Sequence, residues 1–245
     1  MSEIVFGIHA VEVLLKRNSE AIQTIYVQHN RRDQRLHKLI KLAQSKNITV
    51  SQKSREELDE LTAQRHQGVI AQCGNLNKTS YHEKHIPELL DSLQGQPFIL
   101  ILDGITDPHN LGACLRSADA AGVDMVIAPK DNAATITDVV RKVACGAAEA
   151  IPFISVTNLS RTMKLLQEKG IWIYGAAGEA KADIYQSDLT GPIAIVMGAE
   201  GDGMRRLTKE TCDHLIKIPM AGEVSSLNVS VATGVTLFEV VRQRN

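Results

Sequence analysis

Two stretches near the C-terminus, IAIVMGAEGDG (193–203) and LIKIPMAGEVSSLN (215–228), set the terms for the rest of this 245-residue chain. Each begins as a short, largely apolar run, 193–197 and 215–218, of the kind a buried strand requires, and each leads into a helical pattern. In the first, Gly198, Gly201 and Gly203 leave room for backbone to approach a flat or anionic group, and Glu200 is the one long side chain between them. In the second, Ser225, Ser226 and Asn228 stand at the entrance to a helix whose apolar positions Leu227, Val231, Val235, Phe238 and Val241 recur at three- and four-residue steps. Helix capping accounts for one of those three polar residues, not for all. Ligand loops after two strands are the reading this favours; a plain glycine turn plus an N-cap is the alternative.

Working back towards the N-terminus, residues 98–174 alternate strand and helix: strands at 98–102, 123–128, 153–156 and 171–174, helices at 110–121, 137–148 and 159–169. Continuous apolar strands between helices imply a parallel sheet covered on both faces. A dinucleotide fold would place GxGxxG at the first strand-to-helix turn. The turn here is DGITDPHNLGACLRSA (103–118), with Gly104 and Gly112 too far apart, and no GxxxxGK[ST] occurs anywhere. What the turn does carry is Asp103, Asp107, His109 and Asn110, followed by Arg116 on the helix. Asn110 as an N-cap and Arg116 as a surface charge is the bland alternative.

Residues 1–75 form a separate α/β module by pattern, with helical faces at Ile8, Val11, Leu14 and Leu15 and at Leu36, Leu39, Ile40 and Ala43. Strands are expected at 24–28, 48–50 and 69–72, and Ser54 with Glu57 makes a capping box for a third helix. Arg31, Arg32 and Arg35, followed by Lys38 and Lys41, form a basic loop running onto a helix, which suits phosphate contacts. A solvated charged face is equally ordinary, and Tyr26 is the only aromatic nearby for base stacking. Residues 76–96 read as a polar linker around a short helix at 87–93, leaving 97–245 as the second domain.

Composition narrows the class. Net charge is −1, but residues 1–75 carry 11 basic against 8 acidic side chains while 76–245 carry 16 against 20, so a nucleic-acid contact must come from a local patch. Cys73, Cys114, Cys145 and Cys212 lack CxxC spacing and suit reduced thiols of a cytoplasmic protein. No apolar run approaches a membrane span, and His82 and His85 have no third ligand nearby, so neither a membrane nor a metal is expected.

Taken together, DPHNLGACLRSADAAG (107–122), VMGAEGDGM (196–204) and IPMAGEVSSLNVSVATG (218–234) resemble, in order, the three motifs of the SpoU/TrmH branch of the SPOUT methyltransferases. GIHAV (7–11) and HQGVIA (66–71) are similar to the family's N-terminal substrate-binding domain, so the resemblance spans nearly the whole chain. It implies an α/β fold: a parallel-sheet catalytic domain tied in a trefoil knot, preceded by a small L30e-like RNA-binding domain. It implies S-adenosylmethionine (SAM) as cofactor, held by Gly198, Ile218 and Leu227 with Met220, Ala177 and Gly178, and a homodimer packed through the knot. It further implies 2′-O-methylation of RNA, with Arg116, Asn110, Glu200, Ser226 and Asn228 as catalytic residues and Arg31, Arg32 and Arg35 on the RNA.

Within the family, the resemblance is nearest to members that methylate a guanosine ribose in 23S ribosomal RNA, in the peptidyl-transferase P loop, as free RNA or in a precursor large-subunit particle. Transfer RNA is the rival substrate, and a non-catalytic ribosome-assembly protein the rival class; a nicotinamide-dependent dehydrogenase is disfavoured by the missing glycine fingerprint. The family assigns proton removal to the arginine matching Arg116. A guanidinium stays protonated, so the physically consistent role is a charged clamp on the developing alkoxide and the adjacent phosphate. Glu200 and Asn110 are then expected to orient Arg116, and Ser226 and Asn228 to fix the ribose and the loop.

Overall fold

The computed structural model describes residues 3–17, 19–29, 31, 33–63, 66–74 and 81–245, which fall into two compact units, Met1–Ser80 and Tyr81–Asn245. The first runs β1 (Glu3–Phe6), α1 (Ile8–Arg17), β2 (Ile22–Gln28), α2 (Gln34–Ser45), β3 (Thr49–Lys53), α3 (Arg55–Leu61) and β4 (Val69–Cys73). Its sheet has the order β1-β4-β2-β3, antiparallel except for the β2–β3 pair. Val11, Leu14 and Leu15 of α1 and Leu36, Leu39 and Ala43 of α2 bury against Ile25, Val27, Val69 and Ala71 of the sheet. The capping box at Ser54 and Glu57 is formed, Glu57 N–H donating to Ser54 Oγ at 3.2 Å and Ser54 N–H to Glu57 Oε2 at 2.7 Å. Strand β1 escaped sequence analysis because four residues are too few to establish a period.

The second unit comprises α4 (Ile86–Asp91), β5 (Phe98–Asp103), α5 (Pro108–Ala121), β6 (Met125–Pro129), α6 (Asp138–Ala144), α7 (Ala147–Ala150), β7 (Phe153–Val156), α8 (Leu159–Glu168), β8 (Trp172–Ala176), β9 (Ala182–Asp183), β10 (Ile193–Gly198), α9 (Arg206–Thr211), β11 (His214–Lys217) and α10 (Val229–Arg244). The expected linker is part of this unit from residue 81 onward, because Ile86 and Leu90 of α4 are buried in the core beside Leu159 and Met163. The single helix expected at 137–148 is broken into α6 and α7 at Cys145 and Gly146, both left-handed at φ 53° and 97°.

All seven strands of the second sheet are parallel, in the order β7-β6-β5-β10-β8-β11-β9. The chain lays β5, β6 and β7 outward in one direction, returns to place β8 on the far side, and only later inserts β10 between β5 and β8. Every residue of β5 and β6 is buried, the pattern of strands covered on both faces. One face packs on α4 and α8 through Ile99, Ile101, Ile127, Ala194 and Val196. Strand residues of the other parity face the side where α5 and α10 lie. Gly112 lets α5 seat on α6: a β-carbon there would stand 2.7 Å from Val143 Cβ and 2.9 Å from the Val140 carbonyl.

Helix α10 buries Val229, Thr233, Thr236, Leu237, Glu239 and Val240, whereas Val231 and Phe238 of the expected apolar stripe are exposed, at 52% and 49%. The far end of α10 is anchored to the sheet by polar contacts. Arg244 donates to the carbonyls of Gly191 (2.7 Å) and Pro97 (3.1 Å) and lies over the Phe98 ring. Gln243 accepts from Leu189 N–H (2.9 Å) and donates to Glu239 (2.8 Å).

Hydrogen bonds from Arg242 and Gln243 hold the Glu239 carboxyl at about 2, below its ordinary 4.5. A folded-state value below the unfolded one means that this contribution is complete above pH 4.5 and is lost as pH falls towards 2. Glu239→Gln should therefore flatten the fall in urea midpoint over that interval relative to wild type; parallel falls in both proteins would show that Glu239 contributes nothing there.

Candidate active site

Because all seven strands are parallel, the segments that follow β5, β8, β10 and β11 emerge at one edge of the sheet, on both sides of the late strand β10. In an open α/β sheet such a switch in strand order leaves a crevice beyond the carboxyl ends. The residues singled out by sequence stand on these segments: Asn110 and Arg116 on α5, Ala177 and Gly178 after β8, Gly198 and Glu200 after β10, and Ile218, Met220, Ser226, Leu227 and Asn228 after β11.

The turn after β10 is a tight antiparallel loop, with Ala199 N–H donating to the Gly203 carbonyl and Gly203 N–H to that of Ala199, both at 3.0 Å. A β-carbon on Gly198 would lie 2.2 Å from Gly203 C and Met204 N, so this glycine is required by the turn's own backbone. Gly201 and Gly203 adopt φ values of 82° and 68°, which a glycine takes without strain. The three glycines therefore shape the loop itself, and no ligand is needed to explain them.

Asn228 draws three of the segments together. Its Oδ1 caps α10, accepting from Ser230 N–H (2.9 Å) and Ser230 Oγ (2.6 Å). Its Nδ2 donates to Asn110 Oδ1 (3.0 Å) and to Glu200 Oε1, which also accepts from Val229 N–H (3.3 Å). The amide is thereby saturated, with two donors and two acceptors engaged. Asn110, buried at 8% exposure, keeps its Nδ2 without a partner among the described residues, and Glu200 keeps Oε2. The N-cap of α5 is Asp107, accepting from His109 N–H at 2.9 Å, so Asn110 is released for this bridge.

Glu200 and Asn110 thus converge on Asn228, where sequence analysis had expected them to converge on Arg116. Arg116 is exposed on α5, and its guanidinium makes no hydrogen bond or ion pair with a described residue. Ser226 is exposed and unbonded among the described residues; Ile218, Met220, Leu227, Ala177 and Gly198 are half-buried and Gly178 is exposed. The segment after β8 is held at two points: Ala177 N–H donates to the Ile216 carbonyl (2.9 Å), and Glu179 pairs with Lys209 of α9.

A contact that sequence gave no means of finding joins the end of β5 to Arg205, the residue before α9. Asp103, fully buried, accepts from Arg205 N–H (2.8 Å) and Nε (2.7 Å), with Nη2 ion-paired to it at 2.6 Å, across a separation of 102 residues. Burial raises the Cys114 thiol to about 11 and that of Cys212 to about 12, so these two are poor nucleophiles.

In the N-terminal unit, Arg31 is committed to structure, its Nε pairing with Asp33 at 2.6 Å and its guanidinium donating to the Gln67 carbonyl. Asp33 itself caps α2 through Leu36 N–H, and this bond, with Arg31 beside it, holds its carboxyl below the usual range. Arg35 is exposed on α2, and Arg32 lies outside the described residues.

A profile of the SpoU rRNA Methylase family matches residues 97–238, and one for RNA 2′-O ribose methyltransferase substrate binding matches residues 4–79. The 23S rRNA (guanosine-2′-O-)-methyltransferase RlmB of Escherichia coli (strain K12) is 57% identical over 246 residues, spanning 100% of each chain. The protein of that name from Pseudomonas syringae pv. tomato is 54% identical over 243 residues, 99% of this chain and 96% of the relative. The SpoU methyltransferase AviRb from Streptomyces viridochromogenes, solved in complex with AdoMet, shares the fold at a TM-score of 0.74 and 20% identity, over 99% of this chain and 90% of its own.

The bridge makes a direct stability test. Asn228→Ala removes the cap of α10 and the donor to Asn110 and Glu200, and should cost about 1–3 kcal/mol in urea unfolding. Ser226→Ala should stay within about 0.5 kcal/mol of wild type. Equal losses in the two variants would contradict the arrangement.

Proposed function

Since the chain belongs to the SpoU rRNA Methylase family, we propose that it transfers a methyl group from SAM to the ribose 2′-hydroxyl of a guanosine in 23S ribosomal RNA. The observation that carries this is the Asn110–Asn228–Glu200 bridge, which brings the three family motifs to one crevice. The P loop of the peptidyl-transferase centre is the target this reading favours, whether in free RNA or in a precursor particle.

The crevice fits the cofactor chemically. Ile218, Met220 and Leu227 offer half-buried apolar side chains for an adenosyl group, Gly198 and Ala177 offer backbone, and the space beside Gly178 is open, with nothing within 4 Å of an added β-carbon. SAM, when bound there, supplies the methyl group as a sulfonium whose departure leaves a neutral thioether and needs no acid.

The chain's own task is the nucleophile. Arg116, charged and unpaired, stabilises the developing alkoxide and grips the adjacent phosphate, with the proton leaving to phosphate or water. The free amide of Asn110 and the free oxygen of Glu200 orient the ribose, and Asn228 holds both in place. Ser226 fixes the ribose from the loop after β11.

Residues 1–75 serve as the RNA-binding domain, with Arg35 and Arg32 on phosphate and Arg31 shaping the loop. Residues 97–245 carry catalysis, and the late insertion of β10 beside an already placed β8 supports the trefoil knot. The exposed Val231 and Phe238 of α10 support a homodimer packed through this helix. No helix among the described residues is long and apolar enough to cross a membrane, and a cytoplasmic site of action follows from the proposed substrate.

With tritiated SAM, the wild-type protein should label 23S rRNA and leave transfer RNA unlabelled. Arg116→Ala and Arg116→Lys should each lose about 10²- to 10³-fold in rate, because lysine lacks the bidentate fork. A lysine variant that recovers most of the rate at high pH would support a base at this position and overturn the clamp.

A further inference from the structure

The Asp103–Arg205 pair lies at the same end of the sheet, and the reading above leaves it unused. Asp103 closes β5, paired in register with Gly198, the last residue of β10. One oxygen of its buried carboxylate accepts from the Arg205 backbone, which suffices to pin the end of the 199–205 turn. The other oxygen accepts from Nε of the Arg205 side chain and is ion-paired with Nη2, which compensates the buried charge. It fixes the direction of a guanidinium whose side chain is 51% exposed and whose Nη1 remains without a partner among the described residues.

An ion pair with one partner half open to water adds little to stability beyond compensating the buried carboxylate, so its fixed geometry is better explained by the group it orients. A rigidly held guanidinium with a free donor edge matches the geometry of an oxyanion. Its position selects between two oxyanions. Asp103 holds Arg205 on the β5 side of β10, the side from which α5 brings Asn110 and Arg116. Most of the residues assigned to SAM follow β8 and β11, on the other side.

We propose that Arg205, aligned by Asp103, binds a backbone phosphate of the substrate RNA at the mouth of the crevice. This rests on the methyltransferase reading and adds a contact that none of the three motif arginine or asparagine positions supplies. Arg205 touches the RNA; Asp103 is a positioning residue.

Two variants separate this from a purely structural role. Arg205→Gln removes the contact but leaves the buried carboxylate uncompensated, which alone could unfold the turn. Asp103→Asn/Arg205→Gln removes both charges and keeps an oxygen for the residue-205 backbone N–H. Binding of a full-length 23S rRNA transcript is measured by filter retention across a salt series, with SAM affinity by calorimetry and melting temperature alongside.

In both variants the salt slope of RNA binding should fall by about 0.7–0.9, one phosphate contact, and Kd for the RNA should rise about tenfold. SAM affinity should stay within about twofold, and the double variant should recover the melting temperature lost in the single one. An unchanged salt slope, or a double variant that regains RNA binding along with stability, would overturn the contact; so would wild-type protein that does not bind the transcript. Lost SAM affinity with an unchanged RNA slope would assign Arg205 to the cofactor carboxylate instead. Failure of the methyltransferase reading would be distinct: wild-type protein that binds the RNA with the full slope yet transfers no methyl group.

Discussion

The side-chain amide of Asn228 is the constraint on which the site depends. It sits where α10 begins, so its carbonyl is needed for the cap, and its two N–H donors are left to reach Asn110 on α5 and Glu200 after β10. An aspartate would cap the helix equally well but could not donate, and would face the Glu200 carboxylate as a like charge. One residue thereby sets the positions of two others that lie 118 and 28 residues away in sequence.

The sheet makes that bridge possible. Seven parallel strands deliver their following segments to a single edge, and β10 arrives between β5 and β8 after both are in place. The turn beyond β10 is then held by its own antiparallel hydrogen bonds, by buried Met204 and by Asp103. Among the described residues, one amide of Asn110, one oxygen of Glu200 and the guanidinium of Arg116 are left without partners, a donor, an acceptor and a cation of the kind the proposed reaction calls for.

Much of this is legible in the sequence alone. Strands β5, β6 and β10 are continuous apolar runs between turn residues, and the segments after β10 and β11 stand out because glycines, serines and an asparagine follow short apolar runs. The orientation of α10 was not legible. Its inward face includes Thr233 and Thr236, whose hydroxyls bond the Val229 and Ala232 carbonyls of their own helix, while Val231 and Phe238 point outward. A helix with threonines on its inward face and apolar side chains on its outward one carries no single stripe for periodicity to find. Contacts made across long separations, such as Asp103 with Arg205 or Gln243 with Ser187 and Leu189, depend on strand order, which composition does not encode. Nor could glycine spacing reveal that Gly198 is crowded by its own turn.

The proposed cofactor site lies between the 198–203 turn and the 218–228 loop. A crystal structure grown with SAM tests it most directly. The adenosyl group should lie between these two segments against Leu227 and Ile218, with an Arg116 guanidinium directed at the sulfonium methyl. Cofactor bound elsewhere, or Arg116 turned to solvent in every subunit, would contradict it.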